Sequence, residues 1–370
     1  MRRRLKVVHI TSMPGIGGLS QASYTLINAQ LKDSELKVGL LTLSPQSNKQ
    51  KELENLGCEV LSIPLKNGLD LSYLHPTIEF LKKYEIHHFH ILIPPFLIAS
   101  VLCRQKYRIY TNRGAYAMQR PKIKKPFYAF FLKYFFAAFT GNTKYAALVA
   151  SNRFKIPFEY FSIVYNGLDF STIKPQYTKA RLRRTLKLND NLVIGTVSLL
   201  HKGKYIERLL NAASRLQNLS FRLLIVGDGP ARHDLIHETK KLGIDDRVIF
   251  TGMQVPPYDF IETMDIFIFP SASQSFGNVL IEAMSLGTPV IVFADSGGLL
   301  EHIQHGKTGF IVKDEKDLAT YIQKLSTDKH LRNKVGKVAS SFVRKKYTLA
   351  QMTEGYKKIY ASVFNKPTLT

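Results

Sequence analysis

Residues 265–312 read DIFIFPSASQSFGNVLIEAMSLGTPVIVFADSGGLLEHIQHGKTGFIV. The run from Asp265 to Phe269 is apolar and is stopped by Pro270, the pattern of a buried strand. A polar loop follows, Ser271 to Phe276, and then Gly277. From Asn278 to Leu286 the period turns helical. Val279, Leu280, Ala283 and Met284 form the apolar stripe, while Asn278, Glu282 and Ser285 share another face at i, i+4 and i+7. Gly287 ends the helix, and Thr288-Pro289 leads into a second apolar run, Val290 to Phe293. Strand, loop, helix, strand is one unit of a parallel sheet, so the fold class is α/β.

The chemistry lies in the loop and the first helical turns. A helix start presents unpaired N–H groups and the positive end of a dipole, which together attract phosphate. Gly277 lets that backbone come close to a ligand, with Asn278 and Val279 supplying the next N–H groups. Glu282 lies just over one turn in, where a carboxylate can grip a pair of ribose hydroxyls. Taken alone, the same residue also fits a solvated helix face. Gln274 reaches a ligand further out.

The stretch closely resembles the donor-binding signature of glycosyltransferase family 4. These are retaining nucleotide-sugar enzymes of the GT-B fold: two Rossmann-like doubly wound domains facing a cleft, with a C-terminal helix returning to the first. Their pattern is a Glu in the loop, a Phe-Gly pair, and a second Glu eight positions after the first, in Glu-Ala. Phe276-Gly277 and Glu282-Ala283 match, but Gln274 stands where the first Glu belongs. The likeness continues through Gly287-Thr288-Pro289, Gly297-Gly298, Glu301 and Gly306-Lys307-Thr308-Gly309. It is dense from Val164 to Val312 and thinner before.

The resemblance organises the rest of the chain. Val164-Tyr165-Asn166-Gly167-Leu168-Asp169 is similar to the hinge motif that closes the N-terminal domain. It implies an acceptor-binding domain at 1–168, a linker at 169–190, a nucleotide-sugar domain at 191–348, and a helix at 349–370 packing back on the first domain. After strand Lys6–Thr11, the Gly17-Gly18 pair falls where the family brings backbone near the donor diphosphate; by itself it is a Gly-rich turn of incomplete dinucleotide spacing. Thr111-Asn112-Arg113-Gly114 replaces Thr-x-His-Gly, which implies that Arg113 holds donor phosphates or an anionic acceptor. Lys202-Gly203 matches a diphosphate-binding Lys-Gly, while the Arg expected before it is missing near Ser198-Leu199. Gly227-Asp228-Gly229-Pro230 is the family's structural turn. Met253 and Gln254 fall where relatives approach the nucleotide base.

Composition bounds the partners. The chain has 370 residues, 45% of them apolar, and two cysteines, Cys58 and Cys103. That suits two packed domains in a reducing compartment rather than a disulfide scaffold. The apolar run Leu5–Ile10 after Arg2-Arg3-Arg4 is too short for a secretion signal, and no run is long enough to span a membrane. The formal charge is +24, and between Glu85 and Glu159 there is no carboxylate but twelve lysines and arginines. Such imbalance implies an anionic partner. Within that interval lie Lys122, Lys124 and Lys125, then an aromatic helix over Phe127–Phe139 that carries Lys133. Basic residues next to aromatics suit an anionic membrane surface, at about 1 kcal/mol per cation; a buried domain helix has the same composition. His88 and His90 share a strand face, with His87 on the other, but lack a further ligand, so no metal site is assigned.

The expected protein is a metal-independent, retaining glycosyltransferase of hexosyltransferase type. It needs no cofactor beyond its nucleotide-sugar co-substrate, and the sequence has no Asp-x-Asp. The expected donor is a UDP-sugar before a GDP-sugar. The expected acceptor is a glycolipid or polysaccharide of bacterial lipopolysaccharide or capsule assembly, at the inner face of the cytoplasmic membrane. Lys202, Arg113 and Gln274 are the expected catalytic contacts, and Glu282 the ribose ligand. Gln274 can hydrogen-bond a sugar hydroxyl but brings no charge. The alternatives are a catalytically weak or inactive nucleotide-sugar binder and an epimerase of the same fold. A nucleic-acid binder would explain the charge but has no recognition motif.

Overall fold

The computed structural model describes residues 4–13, 18–65, 70–103, 107–114, 125–188 and 190–364. The chain divides into two compact units, Met1–Leu168 with Tyr347–Thr370, and Asp169–Lys346.

The first unit holds β1 (Leu5–Thr11), α1 (Gly18–Leu31), β2 (Leu36–Thr42), α2 (Asn48–Asn55), β3 (Glu59–Ser62), α3 (Leu74–Leu81), β4 (Ile86–Phe89), α4 (Pro94–Leu102), β5 (Tyr107–Asn112), α5 (Lys125–Phe135), β6 (Ala138–Gly141), α6 (Lys144–Phe154) and β7 (Phe161–Ile163). Its sheet runs β3-β2-β1-β4-β5-β6-β7, with every pairing parallel. The last five residues of β1 are buried, as in a sheet covered on both faces. The strand expected over His87–Ile93 stops at Phe89, because Pro94-Pro95 starts a helix there. The helix expected to reach Phe139 ends at Phe135, and Phe139 itself lies in β6. An unbroken apolar run does not mark that boundary. Thr143 caps α6 by accepting from the Ala146 N–H at 3.0 Å.

The second unit holds α7 (Lys179–Thr185), β8 (Leu192–Val197), α8 (Ile206–Ala213), β9 (Phe221–Val226), α9 (Arg232–Lys241), β10 (Val248–Gly252), α10 (Tyr258–Thr263), β11 (Ile266–Phe269), α11 (Asn278–Ser285), β12 (Val290–Phe293), β13 (Phe310–Val312), α12 (Glu315–Thr327) and α13 (Lys329–Lys346). Its parallel sheet runs β10-β9-β8-β11-β12-β13. Both sheets are doubly wound, as expected. The order reverses between β1 and β4 in one and between β8 and β11 in the other, where loops at the carboxyl ends of the strands part to form a crevice.

The last helix, α14 (Leu349–Phe364), belongs to the first unit. Met352, Tyr356, Ile359, Tyr360 and Val363 enter a core that includes Leu26, Ile27, Val38 and Leu40. Each such side chain contributes about 1.5–3 kcal/mol on burial. The chain leaves this unit at Leu168, whose N–H donates to the Tyr347 carbonyl at 2.9 Å, so its exit and return lie side by side. Among the described residues no helix is long and apolar enough to cross a membrane.

Candidate functional site

In the second unit the loops after β8 and β11 flank the reversal of strand order. They are tied together by Ser271 Oγ, which donates to the Lys204 carbonyl at 3.2 Å. Pro270 ends β11, and the loop then runs along residues 295–298. The Ser273 N–H donates to the Asp295 carbonyl (2.8 Å), the Gln274 N–H to the Ser296 carbonyl (3.1 Å), and the Gly298 N–H to the Gln274 carbonyl (2.8 Å). These bonds fix Gln274. Its Nε2 donates to the Ala272 carbonyl at 3.1 Å, and its Oε1 accepts from Lys204 Nζ at 3.1 Å.

Lys204 was not among the residues singled out from the sequence. Lys202, which was, is exposed, while Lys204 is half-buried and loss of water holds its ammonium pKa below the usual value. The Lys202-Gly203 pair matched the diphosphate-binding Lys-Gly of the resemblance. The left-handed residue of this loop is Tyr205, at φ 53°, which starts α8 directly after Lys204. The available signal was position: Lys204 stands just before the helical period of Ile206, Leu209 and Leu210. The missing Arg leaves Leu199, 40% exposed. The Gly227 and Gly229 turn packs on this loop, and a Cβ on Gly227 would lie 1.9 Å from the Ser198 carbonyl oxygen. That turn is structural.

Gly277 begins α11 at φ 69°, ψ 66°, and a Cβ there would meet Leu299 Cδ2 at 2.5 Å. Both the conformation and the space call for glycine. Asn278 and Val279 follow as half-buried first-turn residues. Glu282 is half-buried, and among the described residues its carboxylate has no hydrogen-bond or ion-pair partner. Loss of surrounding water pushes its pKa up to about 7. Tyr258, at the start of α10, has its hydroxyl pKa raised by burial first and by the Glu282 charge second. Two hydroxyls in the loops, Ser198 Oγ and Ser275 Oγ, are also buried with no hydrogen-bond partner among the described residues.

Other expected contacts fall elsewhere. Phe276 is 2% exposed and packs edge-on to His302 at 4.7 Å between ring centroids. It anchors the loop from inside rather than touching a ligand with its ring. Met253 is 40% exposed, one residue beyond β10. Gly17, Lys122 and Lys124 lie outside the described residues, and Lys125 is described only as the start of α5. Gly18 is the first residue of α1, and a Cβ there would meet nothing within 4 Å. Lys133 is exposed on α5 beside Tyr134.

Arg113 departs most from its expected role of holding donor phosphate or an anionic acceptor. It is 7% exposed, and its donors are engaged inside the first unit: Nε to His90 Nδ1 (3.0 Å), Nη1 to Asn166 Oδ1 (2.6 Å) and Nη2 to Tyr356 Oη (3.2 Å). The histidine group at the carboxyl ends of β1 and β4 is His9, His88 and His90, with His9 the member the sequence did not suggest. His87 turns the other way, to Ser100 Oγ at 2.7 Å.

Comparison with known proteins agrees with this organisation. Residues 178–342 match the family of glycosyl transferases group 1. The crystal structure of Anabaena Alr3699/HepE in complex with UDP and glucose superposes with a TM-score of 0.85 at 18% identity, over 97% of this chain and 100% of that one. The fold is therefore GT-B, and its second unit carries the group 1 segment. The chain is 30% identical over 204 residues to N-acetyl-alpha-D-glucosaminyl L-malate synthase of Bacillus anthracis, covering 54% of this chain and 53% of that one. It is 23% identical over 323 residues to the O-antigen biosynthesis glycosyltransferase WclY of Escherichia coli, covering 83% and 86%. The chain thus spans about half the length of the first of these curated relatives.

Proposed function

We propose that this protein is a retaining, metal-independent glycosyltransferase that moves a hexosyl group from a nucleotide-sugar, UDP- before GDP-linked, to a glycolipid or polysaccharide acceptor of bacterial cell-surface glycan assembly. The observation that carries the reading is Glu282. It is a desolvated carboxylate with no partner among the described residues, on the helix that follows the strand-order reversal. Such a group is costly to keep unless a ligand hydrogen-bonds to it. Two ribose hydroxyls would do so. The N–H groups at Gly277–Val279 and the Lys204 ammonium would stabilise the diphosphate as it leaves, a role in which preorganised donors are worth several kcal/mol. Gln274 would orient a sugar hydroxyl, already held by Lys204. The leaving phosphate would take the acceptor proton, so no side-chain base is assigned. A fold-level neighbour solved with UDP and a relative named for O-antigen biosynthesis support the donor and acceptor classes.

The proposed location is the inner face of the cytoplasmic membrane. Phe130 and Tyr134 on α5 are 52% and 63% exposed with ring centroids 5.0 Å apart. They stand within the carboxylate-free interval of the sequence. Aromatic rings and excess cations together favour an anionic lipid surface.

The test is incubation of the full chain with labelled UDP- and GDP-sugars and a bacterial lipid extract. Sugar transfer to lipid with the anomeric configuration kept supports the proposal. Binding without transfer indicates an inactive nucleotide-sugar protein, and interconversion of free donor indicates an epimerase.

A further inference from the structure

Ten polar side chains form one buried cluster in the first unit: His9, Gln30, His88, His90, Thr111, Arg113, Thr140, Asn166, Tyr356 and Tyr360. Their hydrogen bonds have a direction that can be worked out. Arg113 can only donate, so His90 Nδ1 accepts from Arg113 Nε at 3.0 Å. A neutral His90 then carries its proton on Nε2 and donates to His9 Nδ1 at 2.9 Å. His9 in turn donates from Nε2 to Gln30 Oε1 at 2.8 Å. Gln30 Nε2 donates to Tyr360 Oη at 3.2 Å, which leaves the Tyr360 hydroxyl proton for His88 Nδ1 at 2.9 Å. His88 then donates from Nε2 to Thr111 Oγ1 at 2.6 Å, and Thr111 lies in hydrogen-bond contact with Thr140. Every ring nitrogen of the three histidines is engaged.

We propose that Arg113 is a positioning residue: it sets the proton order of this one-way chain and thereby latches α14 and the Asn166 turn onto the strand ends of the first unit. The remaining guanidinium bonds fit that role. Asn166 Oδ1 accepts from Nη1, Tyr356 Oη accepts from Nη2, and the neighbouring Gly167 N–H meets Met352 Sδ at 3.1 Å. Tyr356 and the exit turn are therefore joined directly through one cation, and Tyr360 through the chain that starts at it. Arg113 is also the one charged group among the described residues that acts on all three histidines, and burial together with that charge keeps each of them neutral. A metal ion on the trio is disfavoured by the same geometry. A His90 bound through Nε2 would need a proton on Nδ1, where Arg113 already donates, and a second cation would sit against the guanidinium.

The test is long-range proton–nitrogen NMR of the histidines in the full chain, with amide exchange across α14. All three rings are expected as neutral, Nε2-protonated tautomers at pH 7.5. Tyr360→Phe removes the donor to His88 Nδ1 and the acceptor of Gln30 Nε2 but leaves Gln30 Oε1 to accept from His9, so His88 should lose its fixed tautomer while His90 and His9, upstream, keep theirs. Arg113→Met should scramble all three and speed amide exchange from Met352 to Val363 at least tenfold. A Nδ1-protonated or charged ring in the wild type, an upstream change in Tyr360→Phe, or a shift of all three rings on adding zinc would each overturn the proposal. So would unchanged tautomers and α14 protection in Arg113→Met. If Arg113→Met does not fold, the Tyr360→Phe asymmetry still decides.

Discussion

Glu282 makes a two-sided prediction, because a desolvated carboxylate awaiting a ligand should weaken the fold and strengthen binding in the same pH range. Its pKa in the free protein is raised from 4.5 to about 7 by loss of water. Ribose hydroxyls donating to it would favour the ionised form, so binding should be strong above the free pKa and fall as pH drops through it. With the bound pKa well below 6, the apparent Kd for a UDP-hexose should rise about tenfold between pH 8 and pH 6, equivalent to about 1.4 kcal/mol. A UDP-hexose is the right probe because its diphosphate does not titrate there, whereas UDP's terminal phosphate does. His201, whose pKa burial holds below 6.5, would gain charge on acidification and act in the opposite direction. Glu282→Gln should bind weakly and with no step near pH 7. Stability should move the other way. A raised carboxyl pKa means that the folded state holds the proton more tightly, so folding loses about 1.4 kcal/mol per pH unit as pH rises from 4.5 to 7. The full shift corresponds to about 3 kcal/mol, reduced to about 2 by solvent screening at a half-buried site. Glu282→Gln should therefore be about 2 kcal/mol more stable than wild type in urea at pH 8, with the gain vanishing by about pH 4. Isothermal titration and urea unfolding across that range test both halves. Wild-type affinity that is flat from pH 8 to 6, or retained in Glu282→Gln, would refute the ribose assignment.

Other outcomes separate the remaining assignments. Lys204→Met should weaken donor binding tenfold or more, about 1.5–3 kcal/mol for a charged hydrogen bond, while Lys202→Met stays within about twofold by the same titration. Gly277→Ala should destabilise the second unit by about 1–3 kcal/mol in urea, from the positive φ and the Leu299 contact together. Phe130→Ser with Tyr134→Ser should leave thermal unfolding unchanged and reduce co-sedimentation with anionic vesicles at low salt; equal sedimentation would remove the membrane surface from the account. The first unit should also be acid-labile. His9 is lowered to about 4, His87 to about 3, and His88 and His90 well below 6.5, all chiefly by burial. With folded pKa values below the unfolded one, stability is present above 6.5 and is lost as pH falls, at about 1.4 kcal/mol per pH unit for each group. Four such groups cost about 5 kcal/mol by pH 5.5, whereas the second unit's buried His302 costs a quarter of that; urea unfolding at pH 7.5 and 5.5 reads the difference.

The α/β class was legible because parallel strands buried on both faces write themselves as apolar runs, and because Pro270, Gly277 and Gly287 punctuate the deciding stretch at its true element ends. Boundaries inside uniformly apolar sequence were not legible: Phe135 to Ala138 changes from helix to strand with no change in composition. Glu282 was legible because its neighbours share its helix period. Lys204 was hidden by Lys202-Gly203, since the backbone strain that a glycine would mark is borne by Tyr205. Arg113 could not be read locally at all. Its three acceptors, His90, Asn166 and Tyr356, lie 23, 53 and 243 residues away along the chain. A basic residue where the resemblance has a ligand-contacting histidine looks like a ligand contact until those partners are known.

The two sheets reverse order in the same way but use the reversal differently, and the difference is one of hydrogen-bond satisfaction. At the ends of β1 and β4 the polar groups close on one another, with every histidine nitrogen and the guanidinium engaged by neighbours. Within that described cluster, pairing leaves little free energy for a ligand to gain. At the ends of β8 and β11 the balance is open. Among the described residues Glu282 has no partner, Ser198 and Ser275 hold buried hydroxyls without one, and Lys204 rests against a neutral amide. Unsatisfied buried polar groups cost about 1–3 kcal/mol each, and a ligand that satisfies several recovers that cost on binding. A doubly wound sheet offers a crevice wherever its order reverses. Under the proposed function, the ligand is held where the loops after β8 and β11 leave such polar groups unmatched.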